Sequence, residues 1–315
     1  MPALSLTPTM LDDSMAPEMG TSDIAERITV MRVQEETTYR VRDYLAESVQ
    51  IRKLASKPVD EDCRVKMCEW CYQVVDFCKF RRETVAIGMS YLDRFLCTQQ
   101  GLEALCNRKQ YQLAAMTALY ISIKIHEPLE METSLLADLS RGCYAEMEFV
   151  GMEQTILQAL NFRVNGPTPL GFVQYIMALI PNSVHPSVAA LIMDYARYQT
   201  ELAVSEQSFV DIKPSEVALA AVLNAMEGMD TTLFPLKAQG KFARNIERYA
   251  EIYVSKAERT QSKLSFLLLG TISGDVEHIM GSIDRQMSDD EIALETRAKP
   301  GCLHRRNSPK SVMRR

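Results

Sequence analysis

Two alanine-rich apolar segments, about a hundred residues apart, limit most strongly what this chain can fold into. The first is Leu113-Ala-Ala-Met-Thr-Ala-Leu-Tyr-Ile-Ser-Ile-Lys124 and the second is Pro214-Ser-Glu-Val-Ala-Leu-Ala-Ala-Val-Leu-Asn-Ala-Met226. In the first, Leu113, Met116, Tyr120 and Ile123 align at helical spacing, with Ala114, Ala115 and Ala118 on flanking positions. A helix with so many small side chains can be approached closely from several sides, which suits the centre of a bundle. Two such helices predict two bundles in tandem. The length agrees, because 315 residues exceed what one hydrophobic core usually holds.

Around the first segment, periodicity predicts five helices: Asp62–Lys79, Arg82–Cys97, Lys109–Ile125, Thr133–Ser140 and Tyr144–Leu160. Val85, Met89, Leu92 and Leu96 form one face of the second helix, and Phe149, Met152, Ile156 and Leu160 point inward from the fifth. Pro167-Thr-Pro169 closes the block, since proline restricts its predecessor and cannot continue a helix. A second helical block follows. Gly171–Ile180 is apolar, and the next helix has an inward face read as Val188, Leu191, Tyr195, Tyr198 and Leu202. Pro214 starts the second alanine-rich helix, and Tyr249–Leu269 is the last one. Gly240 blurs the segment between Pro235 and Glu247. No strand alternation of any length is visible. The expected fold is all-α: two tandem helical domains of similar size, over 59–165 and 166–269. A disordered segment over 1–35 and a helix over 36–58 precede them, and a flexible basic tail over 270–315 follows.

Charge and composition remove several functional classes. The net charge is −6, but Arg297–Arg315 holds seven Lys/Arg and no Asp/Glu, so the remainder carries −13 (−6 minus 7). An acidic body disfavours wrapping nucleic acid. No apolar run reaches the roughly 18 residues of a membrane span, and no charged segment followed by an apolar stretch reads as a secretory signal. Cys68 and Cys71 form one Cys-x-x-Cys with no partner pair and no nearby histidine, so no zinc site is expected. With Val75 and Cys78 they follow a 3-4-3 spacing, the core face of a helix, which indicates reduced thiols in a cytosolic or nuclear protein. The four histidines (His126, His185, His278, His304) are scattered, and neither a Gly-rich phosphate loop nor a nucleophile elbow occurs. No catalytic constellation, cofactor or metal is expected.

Several matches remain, and they act together. Arg64 stands six residues before Trp70; Tyr91-Leu-Asp-Arg-Phe-Leu96 lies in the second helix; Lys124 ends the third; Glu153 lies in the fifth. This set resembles the cyclin box, strongly over about 60–163 and more weakly over 167–268, and the first box is similar to those of A-, B- and D-type cell-cycle cyclins. The resemblance implies two tandem five-helix cyclin boxes. It also implies a regulatory subunit, not an enzyme, that binds and activates a cyclin-dependent Ser/Thr protein kinase in cell-cycle control. The alternatives are a cyclin partner of a transcriptional or nutrient-sensing kinase, and a tandem-box transcription factor of the factor-IIB type. The mixed-charge second block, with Glu201, Glu206, Asp211 and Glu216, argues against the last of these.

The resemblance also assigns residues. Lys124 would donate to backbone carbonyls beside the kinase's regulatory helix, and Glu153 would accept from backbone N–H groups there. Leu113, Ile125, Leu157 and Phe162 would supply apolar contacts. Arg64 and Asp93 would form a buried ion pair joining the first two helices. Met67, Trp70, Gln73 and Gln112 fall where the family carries a substrate-docking groove. Cys63 and Lys66 occupy places usually held by larger apolar residues. Gln73 stands where an acidic residue receives a peptide arginine, and a neutral acceptor gives up that charge-assisted bond. Taken by position alone, Lys124 is a cation in the last turn of a helix, Lys124 and Glu153 can form a weak surface pair, and Leu113 fits ordinary core. No Leu-x-Cys-x-Glu segment occurs, and Arg42-Asp-Tyr-Leu45 meets only a minimal Arg-x-x-Leu. In the tail, Arg305-Arg306-Asn-Ser308-Pro309-Lys310 suits nuclear import and phosphorylation of Ser308 by a proline-directed kinase. Nuclear and/or cytoplasmic localisation is expected, with neither membrane nor nucleic acid as a partner.

Overall fold

The structure, a computed structural model, describes residues 20–55, 57–284 and 303–305. The expectations for residues 1–19, and for Ser308, lie outside the described residues. In chain order the helices are α1 (Thr21–Glu36), α2 (Tyr44–Glu47), α3 (Val49–Arg52), α4 (Glu61–Cys78), α5 (Glu83–Leu96), α6 (Leu102–Cys106), α7 (Arg108–His126), α8 (Thr133–Leu139) and α9 (Glu146–Ala159). The second half holds α10 (Pro169–Met177), α11 (Pro186–Ser205), α12 (Pro214–Glu227), α13 (Leu236–Asn245) and α14 (Val254–Asp284). Two three-residue strands, β1 (Leu129–Met131) and β2 (Leu303–Arg305), pair antiparallel. Among the described residues, that short ribbon is the one β-sheet in an otherwise helical fold.

Local chemistry explains where the helices start and stop. Asp60 caps α4 by accepting from the Cys63 N–H at 3.0 Å. Asn107 caps α7 in the same way through the Lys109 N–H, at 3.0 Å. Prolines occupy the first turns of α10, α11 and α12, where a missing N–H costs nothing. Lys79 ends α4 in the left-handed region, at φ 58°.

In the first bundle α7 is central, packing against α4, α5 and α9. Leu113, Met116, Tyr120, Ile123 and the three flanking alanines are all buried, as are Val85, Met89, Leu92 and Leu96 across from them. The contact between α5 and α7 depends on Gly88, because a Cβ there would lie 3.1 Å from the Leu119 Cα. Backbone cannot swing aside as a side chain can. Gly88→Val is therefore expected to destabilise the chain by about 1–3 kcal/mol through overpacking, read as a lower urea midpoint; an unchanged midpoint would refute the close packing.

The second bundle repeats the plan. The α12 run Val217-Ala-Leu-Ala-Ala-Val222 is buried among α10, α11 and α14. On α11 the buried stripe is Val188, Ile192, Ala196, Gln199, Thr200 and Ala203, whereas Leu191, Tyr195 and Tyr198 are exposed. The expected inward face is thus rotated by about one residue. A polar side chain was the hidden cause: Gln199 is accepted into the core because its amide donates to the Ala221 carbonyl at 3.2 Å and accepts from Asn224 at 2.8 Å. The blurred segment resolves into α13 and a π-helical turn, Ile246–Ala250, so the last helix begins at Val254 and not Tyr249. It runs to Asp284, past the expected end at 269.

The N-terminal region also departs from expectation. Residues 21–36, placed in a disordered segment, form α1, and the helix expected over 36–58 is a loop with two single-turn helices, α2 and α3. The helix α1 is held by the far half of the chain, where Ile24 and Ile28 enter the second core. Glu35 is buried and accepts from both the Ser215 N–H (2.9 Å) and its hydroxyl (2.5 Å). It thereby caps α12 from another element, a task no local side chain performs. Burial raises the Glu35 pKa, and the Ser215 bonds pull it partly back. The low amphipathicity of α1 hid it, because only two of its apolar residues are core.

Candidate functional site

Lys124 lies in the last turn of α7, and Glu153 lies in α9, which packs against α7. Their side chains meet, with Nζ 2.6 Å from Glu153 Oε1. Lys124 also sits 5.0 Å over the Tyr120 ring. The pair is neither core nor fully solvated, with side chains 39% and 17% exposed respectively. An ammonium carries three donors and a carboxylate about four acceptor positions, so the pair presents both kinds of hydrogen-bonding group side by side.

Apolar side chains frame the pair. Ile125 is exposed directly after Lys124, and Leu157 is half-buried one turn after Glu153. Phe162 is 66% exposed. It follows α9 in a left-handed conformation, φ 56° after 52° at Asn161. That geometry costs a non-glycine residue about 1–2 kcal/mol. The Phe162 N–H bond to the Leu157 carbonyl, at 2.8 Å, holds it there and satisfies an end carbonyl of α9. Leu113 does not belong to this surface: it is buried in the first core, so the contact role expected for it is corrected to a packing role. Two residues went unnoticed. Met147 (75% exposed) and Val150 precede Glu153 by six and three residues, on the α9 stripe that continues to Leu157. Their 3-3-4 spacing was the available signal.

Behind this surface, His126 is tied to the first core. The Tyr91 hydroxyl donates to the Val164 carbonyl at 2.6 Å and lies 3.0 Å from His126 Nε2. Burial, with the Arg81 cation beside it, lowers the His126 pKa from its ordinary 6.5. A histidine depressed on folding contributes stability that is present above its unfolded pKa and lost as pH falls. The urea midpoint should therefore drop between about pH 7.5 and 5.5, and His126→Gln should shrink that drop. A variant with the same pH dependence as wild type would contradict this.

Arg64 and Asp93 form the expected pair, and both side chains are less than a tenth exposed. The guanidinium holds both carboxylate oxygens, the second at 3.0 Å from Nη2. It also donates to Tyr44 Oη at 3.1 Å and to the Val204 carbonyl at 2.9 Å. Burial works against the charged guanidinium, but the Asp93 carboxylate overcomes it and holds the Arg64 pKa well above its ordinary value. The pair thus joins α2, α4, α5 and α11, more than the two helices expected.

The docking-groove candidates are only partly presented. On α4, Met67 is buried, Trp70 half-buried and Gln73 exposed. Gln112 on α7 is half-buried and accepts from the Tyr144 hydroxyl at 2.9 Å. Cys68, Cys71, Val75 and Cys78 line the core face of α4. Burial pushes the Cys68 thiol up to about 12 and Cys71 also well above its ordinary value, which suppresses the nucleophilic thiolate. Among the described residues, no group of His, Cys, Asp or Glu could hold a metal ion, and no helix is long and apolar enough to cross a membrane.

Comparison with known proteins places this geometry. Residues 26–165 match the cyclin N-terminal domain, and residues 167–272 match the cyclin C-terminal domain. The G2/mitotic-specific cyclin-B2 of Oryzias latipes is 27% identical over 186 residues, 58% of this chain and 45% of that protein. Cyclin-A3-1 of Oryza sativa subsp. japonica is 28% identical over 215 residues, 68% of this chain and 54% of that protein. The chain spans about half the length of the curated relatives it matches. A solved viral cyclin from herpesvirus saimiri shares the fold with a TM-score of 0.56 at 17% identity, over 78% of this chain and 97% of that one. Two adjoining domain matches and two tandem helical bundles lead to one conclusion: the chain belongs to the cyclin family.

Proposed function

We propose that this cyclin is a regulatory subunit that binds and activates the catalytic subunit of a cyclin-dependent Ser/Thr protein kinase, in cell-cycle control, and performs no catalysis itself. The observation that carries this reading is the Lys124–Glu153 pair, held at 2.6 Å on a half-exposed surface with Ile125, Leu157 and Phe162 around it. A cation and an anion fixed side by side suit a partner that offers backbone carbonyls and N–H groups together. Exposed Phe162, Met147 and Val150 supply the apolar area that such a charged centre needs around it.

Activation then follows from differential affinity. A free kinase subunit keeps its regulatory helix turned out and its catalytic Lys apart from the Glu that should pair with it. A cyclin that binds the turned-in state better shifts the population towards it. Moving the kinase from 1:99 to 99:1 requires about 5.5 kcal/mol of preference. An interface on the order of 2,000 Å², usual for signalling assemblies, can supply that. The complex would work in the nucleus, the cytoplasm or both. Neutral Gln73 makes the docking groove a weak receptor for an arginine-bearing peptide.

The reading is tested by co-purifying the full chain with a panel of cyclin-dependent kinase catalytic subunits. Stable capture of at least one, with a rise in its phosphoryl-transfer rate, is expected. A chain that stays folded and captures none would overturn the proposal.

A further inference from the structure

The ribbon of β1 and β2 joins two distant parts of the chain at one place. The strand β1 begins five residues after Lys124 and packs on α7. The strand β2 belongs to Arg297–Arg315, the stretch with seven Lys/Arg and no acidic residue. Their register pairs Leu129 with Arg305, Glu130 with His304 and Met131 with Leu303.

Two features favour this arrangement. A three-residue strand beside a helix presents an edge of N–H and C=O groups, and an extended segment satisfies them. The edge is also acidic, with Glu130 and Glu132 exposed, so a basic segment complements it. The edge adjoins the charged pair of α7 and α9. Lys124 lies over the Tyr120 ring, and besides burial the Glu153 and Glu130 carboxylates both act on the Tyr120 hydroxyl, raising its pKa.

We infer that Leu129–Met131 is a docking edge for a basic extended segment, that the chain's own residues 303–305 fill it, and that the filled edge holds a kinase off the Lys124–Glu153 surface. The inference rests on the kinase-binding reading above. It makes the tail a regulator of that site. A kinase arriving at Lys124 and Glu153 meets the tail strand and must displace it. If the filled form outweighs the open form ten to one, the apparent affinity for the kinase falls about tenfold.

The test uses the full chain and the variant His304→Pro, which removes a strand N–H and fixes a backbone angle unsuited to the ladder. Circular dichroism checks that the helical fold is retained. Amide hydrogen exchange is read over residues 129–131, and affinity is measured for a purified cyclin-dependent kinase catalytic subunit. Exchange at least about tenfold faster in the variant is expected, together with kinase binding about tenfold tighter. Unchanged exchange overturns the pairing. Faster exchange with unchanged kinase affinity overturns the regulatory role while leaving the kinase reading intact. Failure of both forms to bind any kinase overturns that reading and the regulatory role with it, and the exchange arm still decides whether the edge is filled.

Discussion

Asp93→Ala is expected to cost about 3–5 kcal/mol of folding stability, the largest effect of any single substitution considered. The size follows from what would be left behind. Arg64 would keep its bonds to Tyr44 and Val204, but its charge would be buried without a counter-ion. A guanidinium cannot escape by releasing its proton. Because the pair ties α2, α4 and α5 of the first bundle to α11 of the second, loss should loosen the contact between bundles as well as the first core. Urea unfolding followed by circular dichroism measures this, and intrinsic fluorescence of the single tryptophan, Trp70, reports the first bundle separately. Replacing both partners with apolar residues, as in Arg64→Met/Asp93→Leu, should destabilise less than Asp93→Ala alone, since no charge is stranded. A loss below about 1 kcal/mol for Asp93→Ala would show the pair to be hydrated, and the described burial wrong.

Lys124→Ala/Glu153→Ala is expected to behave in the opposite way. Stability should change by no more than about 1 kcal/mol, because the pair is partly solvated and exposed ion pairs contribute little. Kinase affinity should fall by 2 kcal/mol or more, about 30-fold, because the proposed interface would desolvate both groups as hydrogen-bonding centres. The single variants should each lose most of that, since removing one group leaves the other unpaired in the interface. Calorimetric titration of the kinase catalytic subunit separates these outcomes. Equal affinities for wild type and double variant would move the interface elsewhere.

Much of this was legible in the chain itself, for identifiable reasons. The alanine-rich helices α7 and α12 showed the two bundle centres, because small residues at helical spacing have few other uses. Arg64, Asp93, Lys124 and Glu153 were found through a pattern of matches and not through any one residue. The failures have physical causes too. The face of α11 was misread because Tyr195 and Tyr198 count as apolar by composition, while Gln199 is buried only by virtue of partners on α12. The helix α1 was missed because its stability comes from contacts with residues 180 positions away, through Glu35 and Ser215, which no local window samples. Leu113 could not be assigned between core and surface from spacing alone, and the structure places it in the core. The β1–β2 pairing had no sequence signal, since three residues are too few for alternation to show.

The proposed activation of a kinase runs through the surface centred on Lys124 and Glu153. The most direct measurement is the phosphoryl-transfer rate of each kinase in the panel, titrated with wild-type chain and with Lys124→Ala/Glu153→Ala. Saturable activation of at least one kinase by wild type is expected, with the double variant needing about 30-fold more protein for the same rate. Activation by both at the same concentration, or by neither while both remain helical and folded, would contradict it.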